Sequence, residues 1–209
     1  SFYESWMGEY LAQYDVAAAK AKLDVCGLVL KAGDEFRTYA DGTPFELNLE
    51  YTNFEGAVTT ALEMVQKNFQ DVGIKTNLKL IDSSLLSQKR QAGELEIYVW
   101  NKDCGTEFGF YGNPTIYAAD AQQWVKYINT DGAEGTEPSS EFNKFYQKVN
   151  QFKACPLGTE EYKSLGKELL TLQVKNVWNL GVAGMAPKPM VIKTALKNTP
   201  KKGVYDYDY

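Results

Sequence analysis

Asp103 precedes, and Glu107 lies within, a stretch that holds three glycines and three aromatic rings: Cys104-Gly105-Thr106-Glu107-Phe108-Gly109-Phe110-Tyr111-Gly112-Asn113-Pro114. Two carboxyl groups could serve as the acid and nucleophile of a glycoside hydrolase if held ~5 to 10 Å apart across the scissile bond. Proximity in one glycine-rich loop gives no reason to expect that arrangement. The rings offer other chemistry. Phe108, Phe110, Tyr111, Tyr117 and Trp124 could stack on sugar rings or line apolar side-chain pockets in a cleft. Core packing is the competing use of each, because large aromatic side chains dominate core energetics. Trp6 and Trp178 are assigned to packing.

The chain contains no histidine, which removes the commonest general base, the usual serine or cysteine triad and most zinc sites. No activated nucleophile or base can be named, so the sequence reads as a binding protein and not an enzyme, with no catalytic residue, metal site or cofactor. Cys26, Cys104 and Cys155 are far apart and lack Cys-x-x-Cys spacing. Three separately buried thiols are expected, the alternative being one disulfide and one free thiol. A net charge of -5 and a pI near 5.0 argue against nucleic acid or an anionic membrane as partner. No run approaches the ~20 apolar residues that span a bilayer. Ser1-Phe2-Tyr3-Glu4-Ser5-Trp6 has neither a basic start nor an apolar run, so the protein is expected to be cytosolic or else a piece cut from a longer precursor. The acidic stretch Asp131 to Glu137 is the candidate surface for a protein partner, against the alternative of a solvated loop.

These residues must be held by regular elements. With 209 residues and 44% hydrophobic content, the chain can bury roughly 70% of its unfolded surface. Glu94-Leu95-Glu96-Ile97-Tyr98-Val99-Trp100 alternates into an apolar run, as a strand with a buried face does. The loop that follows therefore sits at a strand's carboxyl end, where ligands gather in open α/β sheets. Upstream, Asp15 caps a helix that runs to Leu28 and stops at Gly27. Asp41-Gly42 marks a hairpin-type turn, and Phe45 to Tyr51 alternates as a strand. From Asn53 to Val72 the period becomes helical, with Val58, Ala61, Leu62, Val65, Phe69 and Val72 in one stripe and Gly73 closing it. Ile74 to Ile81 reads as a strand, and Asp82-Ser83-Ser84 caps a short helix ending near Gly93. Strand, helix, strand, helix, strand implies parallel neighbours and right-handed crossovers. The core should include Leu47, Leu49, Leu62, Val65, Phe69, Leu78, Leu80, Ile97 and Val99. Helices are expected over Ala119 to Ile128, Ser139 to Ala154 and Thr159 to Val177, with extended segments at Leu180 to Gly184 and Pro189 to Ile192.

The order of these motifs resembles a family. Asp15-Val16-Ala17-Ala18-Ala19-Lys20-Ala21-Lys22-Leu23-Asp24 with Gly27-Leu28, then Phe36-Arg37, Asp41-Gly42-Thr43-Pro44 and Leu47-Asn48-Leu49, looks like the start of the C-terminal lobe of family 5 extracellular solute-binding proteins. These are the oligopeptide-, dipeptide-, nickel- and oligosaccharide-binding components of ABC importers. The likeness continues through Val65-Gln66-Lys67-Asn68-Phe69, Gly73-Ile74-Lys75 and Glu94-Leu95-Glu96-Ile97 to Trp100. It resumes at Asn176-Val177-Trp178-Asn179-Leu180-Gly181-Val182 and at Asn198-Thr199-Pro200. Trp124-Val125-Lys126-Tyr127 with Gly132, Gly135 and Glu137-Pro138 is similar to one branch of larger members.

The resemblance implies an α/β fold, a periplasmic-binding-protein-like lobe with a mixed, largely parallel sheet flanked by helices. Residues 1–209 would form one C-terminal lobe, with 1–14 and 199–209 peripheral. It implies an extracytoplasmic protein, periplasmic or a cell-surface lipoprotein, that captures a peptide, or alternatively an oligosaccharide, between two lobes. Its partners would be the ligand, an N-terminal lobe and an importer permease, with the membrane met only through an anchor outside this chain. In the peptide-binding branch the strand-end tryptophan is followed by an aspartate that meets the peptide's α-amino group, and Trp100-Asn101-Lys102-Asp103 keeps that spacing. Cys104-Gly105-Thr106-Glu107 departs from the branch's acidic, proline-containing continuation. Trp100, Asp103, Phe108, Tyr111 and Trp124 are the candidate ligand-binding residues.

Overall fold

The computed structural model describes residues 2–54, 58–100, 121–181, 191–199 and 201. The chain divides into two units. One comprises Leu11–Asn101 and Gln122–Thr136, the other Ser1–Tyr10, Lys102–Ala121 and Glu137–Tyr209.

In the first unit the alternation of apolar and polar residues becomes a parallel sheet. β1 (Glu46–Tyr51), β2 (Lys75–Leu80) and β3 (Ile97–Val99) lie in the order β2-β1-β3. Leu49 is aligned with Leu78 on one side and Ile97 on the other, and Tyr51 with Leu80 and Val99. Leu49 and Tyr51 point to one face, where they pack with Leu62 of α3 (Val58–Asp71) and are joined by Val58, Leu78, Ile97 and Val99. Glu50 points to the other face, where it meets Lys89 of α4 (Ser83–Ala92). Moving from β1 outward to β2, then back across β1 to β3, a right-handed crossover at each step requires helices on opposite faces. The side chains show that placement.

The helix ends follow from local sequence. Asp15 accepts a hydrogen bond from the Ala18 amide at the start of α2 (Val16–Val25), and Asp82 accepts one from Ser84 at the start of α4. At the end of α3, Gly73 takes φ +84, the Ile74 amide donates to the Phe69 carbonyl and the Gly73 amide to that of Gln70. This pair of bonds satisfies the last carbonyls and needs a left-handed residue, which glycine supplies without steric cost. At Asp41-Gly42 the chain reverses within the antiparallel bridge of Thr38 to Pro44, and Thr38 also bridges back to Val29. α5 (Gln122–Asn129) packs against α4. The loop after it is tied back, with Thr130 Oγ1 accepting from the Glu134 amide and Lys126 pairing with Glu134 at 2.7 Å.

The regular elements described in the second unit are helices. α1 (Ser5–Glu9), α6 (Ser140–Ala154) and α7 (Glu160–Asn176) carry its core. Ser139 caps α6 through the Phe142 amide, and Thr159 caps α7 through that of Tyr162. Phe152 and Tyr162 stack with centroids 4.8 Å apart, and Phe2 meets both rings edge-on. Trp178 packs edge-on against Phe142 and Phe145, the role expected of it.

Several expectations need correction. The helix expected from Asn53 is described as Val58–Asp71. Asn53 and Phe54 are non-helical, and the Phe54 amide bonds the Thr52 carbonyl as the chain turns off the sheet. β3 is confined to Ile97–Val99, and α5 begins at Gln122. Leu80, placed in the core, is 58% exposed because it is the last residue of an outer strand, while Leu78 one repeat earlier lies beneath α3. Cys26 is exposed at the end of α2, whereas Cys155 is buried as expected and Cys104 lies outside the described residues.

Candidate ligand-binding edge of the sheet

A parallel strand order of 2-1-3 has a definite consequence. The connection leaving β1 passes to one face of the sheet and β3 is reached from the other, which makes the carboxyl ends between β1 and β3 the place where such a sheet receives a ligand. Register puts Tyr51 beside Val99 at that edge. Trp100 is the first residue after β3, and Phe54 follows β1 after the short turn at Thr52. Their rings lie 5.3 Å apart, tilted by 43°, within the range where aromatic pairs attract. Trp100 remains 44% exposed. An indole backed by a second ring and open to solvent can stack on a sugar ring or an apolar side chain.

Beneath this edge the polar face of the sheet is tightly bonded. Glu50 is 6% exposed and pairs with Lys89, while its Oε2 has no hydrogen-bond partner among the described residues. Toward the strands' amino ends, Lys75 and Asn77 of β2 both bind Glu46 of β1, and Asn48 donates through its amide and side chain to Glu96. Glu46 is held below the ordinary carboxylate range by its hydrogen bond from Lys75, with that from Asn77 second. Asp82, at the carboxyl end of β2, is likewise lowered, chiefly by the Ser84 amide. Both carboxylates serve structure, the first joining two strands and the second starting α4.

Of the residues expected at the site, Trp100 stands at the carboxyl end of β3, and Trp124 is half-buried on α5. Asp103, Phe108 and Tyr111 lie outside the described residues, as do Phe110, Tyr117 and Glu107. Phe54 was not foreseen. Its signal in the sequence is an aromatic residue just beyond a strand's carboxyl end, hidden because a helical reading from Asn53 absorbed it. Among the described residues no group of three or more His, Cys, Asp or Glu side chains could hold a metal ion, and no helix is long and apolar enough to cross a membrane.

The profile of the bacterial extracellular solute-binding proteins, family 5 Middle, matches residues 1–113. The chain belongs to this family. No curated protein sequence matches it. Among solved structures it is similar to the oligopeptide-binding protein OppA, with 21% identity, a TM-score of 0.73, and coverage of 85% of this chain and 30% of that one. It is also similar to a mannohexaose-bound periplasmic oligopeptide-binding protein of Thermotoga maritima, at 19% identity and TM-score 0.62 over 84% of this chain and 32% of that one. A third likeness is to the periplasmic binding protein MelB of Agrobacterium fabrum C58 in complex with stachyose, at 15% identity and TM-score 0.61 over 78% of this chain and 25% of that one. The family 5 chain thus spans about a third or less of the length of these structures. At such identities the likenesses establish the periplasmic-binding-protein fold alone.

Proposed function

We propose that residues 1–209 are the C-terminal lobe of an extracytoplasmic solute-binding protein that captures peptides for an ABC importer, without turning them over. The observation that carries the reading is the exposed Trp100 ring at the β1/β3 carboxyl edge of a family 5 fold, the place where an open α/β sheet receives ligands. The ligand would be held between this lobe and an N-terminal one, closing about a hinge. A permease takes the loaded protein, and any membrane attachment is an anchor outside this chain. Phe108, Tyr111 and Trp124 would line the pocket beside Trp100.

Peptide is favoured by the spacing Trp100-Asn101-Lys102-Asp103, since a carboxylate there supplies a charge-assisted hydrogen bond to an α-ammonium. Oligosaccharide is the second reading, favoured by the Phe54–Trp100 ring pair, and the Thermotoga oligopeptide-binding protein holds mannohexaose. Native mass spectrometry of the complete protein as purified will show a retained peptide if the first reading is right. Asp103→Asn separates the two in solution. Loss of a charged hydrogen bond costs ~1.5 to 3 kcal/mol, or roughly ten-fold to a hundred-fold in affinity for a peptide with a free amino terminus. An unchanged peptide affinity, with a clear loss of mannohexaose binding on Phe108→Ala or Tyr111→Ala, would overturn the peptide reading.

A further inference from the structure

We propose that Phe54 is a positioning residue for ligand selection, fixing the plane of the Trp100 indole offered at the β1/β3 edge. The inference rests on the solute-binding reading of this edge and adds to it a residue on a different strand connection. Trp100 lies one position past the end of β3 and is 44% exposed. A tryptophan so placed has two side-chain torsions to settle. Phe54 supplies the constraint. Its ring is half-buried, stands 5.3 Å from the indole at 43°, and comes from the turn after β1, whose carbonyl at Thr52 accepts the Phe54 amide. Among the described residues, Phe54 is outside the cluster of Leu49, Tyr51, Leu62 and their neighbours that holds α3 to the sheet.

A centroid distance of 5.3 Å leaves no room for a third ring between the two, since stacked rings need ~3.5 to 4 Å on each side. Phe54 therefore limits how the indole can turn, while Trp100 stays 44% exposed for a solute. Binding is stronger when the contact surface is already ordered, because the rotamer entropy has been lost before the solute arrives. The pair should accordingly raise affinity for any ligand moiety that stacks on the indole, whether a pyranose or an apolar peptide side chain.

The test uses the complete protein with 5-fluorotryptophan in place of tryptophan, and two probes: a mixture of hexapeptides with free amino termini, and mannohexaose. The Trp100 fluorine resonance is assigned by its loss in Trp100→Phe. In Phe54→Leu that resonance should split or broaden and its solvent-isotope shift should rise. Affinity for the probe that binds should fall about three- to ten-fold, the range expected for one aromatic pair. Phe54→Tyr should restore both signals, which a general loss of packing would not predict. If Phe54→Leu leaves the resonance and the affinity as they were, Phe54 does not position Trp100. If Trp100→Ala leaves affinity for both probes unchanged, the solute-binding reading of this edge fails, while the fluorine signal still decides whether Phe54 orders the indole.

Discussion

Arg37 is 2% exposed in a protein whose other arginine and lysine side chains mostly reach water. Its guanidinium donates to the Val72 carbonyl at 2.9 Å, to Leu28 at 2.5 Å and to Asp24 at 2.6 Å. Val72 and Leu28 lie just past the ends of α3 and α2. One cation thereby satisfies the Val72 carbonyl at the end of α3 and the Leu28 carbonyl in the turn that follows α2, near the negative ends of both helix dipoles. Asp24 is the lesser part, because its carboxylate is 64% exposed and screened by water. Arg37→Met keeps much of the stem and removes the donors. Urea unfolding should show a loss of about 1.5 to 3 kcal/mol, and a loss below a few tenths would mean that water replaces the guanidinium. This role was not legible in the sequence, where Arg37 follows Phe36 in a short extended piece and the carbonyls it meets are 9 and 35 residues distant. The caps Asp15 and Asp82 were legible because each reaches its partner within three residues.

Elements obey the same division between local and distant causes. The periods of two and 3.6 gave away β1, α3 and β2, yet the face of β1 that carries Glu50 could not reveal that α4 buries it against Lys89. A buried ion pair is expensive to desolvate and strongly destabilising to break, so Lys89 is better understood as matched to Glu50 than as a surface residue of an exposed helix. Gly166 in the middle of α7 shows a distant cause deciding the sign of a prediction. Helix propensity alone says that Gly166→Ala should stabilise by about 1 kcal/mol. A Cβ there would come within 2.4 Å of the Phe2 ring, which is buried between Phe152 and Tyr162. Phe2 must then leave its site, and the thermal midpoint should fall. A rise would show that the ring relaxes without losing its packing. Strand ties and caps add a pH dependence. Asp41, Glu46 and Asp82 are each lowered by hydrogen bonds made in the folded state, to the Thr43 amide, to Lys75 and to the Ser84 amide. A depressed folded value means that the unfolded chain binds protons first as the medium acidifies, so their contribution is complete above the ordinary carboxylate range. It should begin to fail below about pH 5 and vanish only beneath the lowered values. Urea midpoints measured at a series of pH values check this, and Asp82→Asn should flatten the acid limb. A limb unchanged in that variant would place the dependence elsewhere.

At the scale of the whole molecule, the fold class was the most legible property, because order of elements survives errors at their ends. α3 is described as Val58–Asp71 and β3 is confined to Ile97–Val99, yet three parallel strands with helices on both faces follow from either set of bounds. What the order could not convey was the doubling of Trp100 by Phe54, which needs β1 and β3 to be neighbours. On the proposed reading, a ring pair at one sheet edge offers a ligand little surface, and association must first offset several kcal/mol of lost translational and rotational freedom. The chain spans about 30% of the OppA chain it resembles, so on the two-lobe reading most of the contact area belongs to the rest of the protein. The expected outcome is a difference in ligand-induced stabilisation. At a peptide concentration one hundred times the complete protein's Kd, the complete protein should gain ~2.7 kcal/mol on thermal or urea unfolding. Residues 1–209 alone, given the same peptide at the same concentration, should gain less than a tenth of that, since a Kd weakened a thousand-fold or more leaves the site almost empty. Equal stabilisation of both would mean that this edge binds peptide by itself, and the second lobe would then act on access or on the permease instead of on affinity.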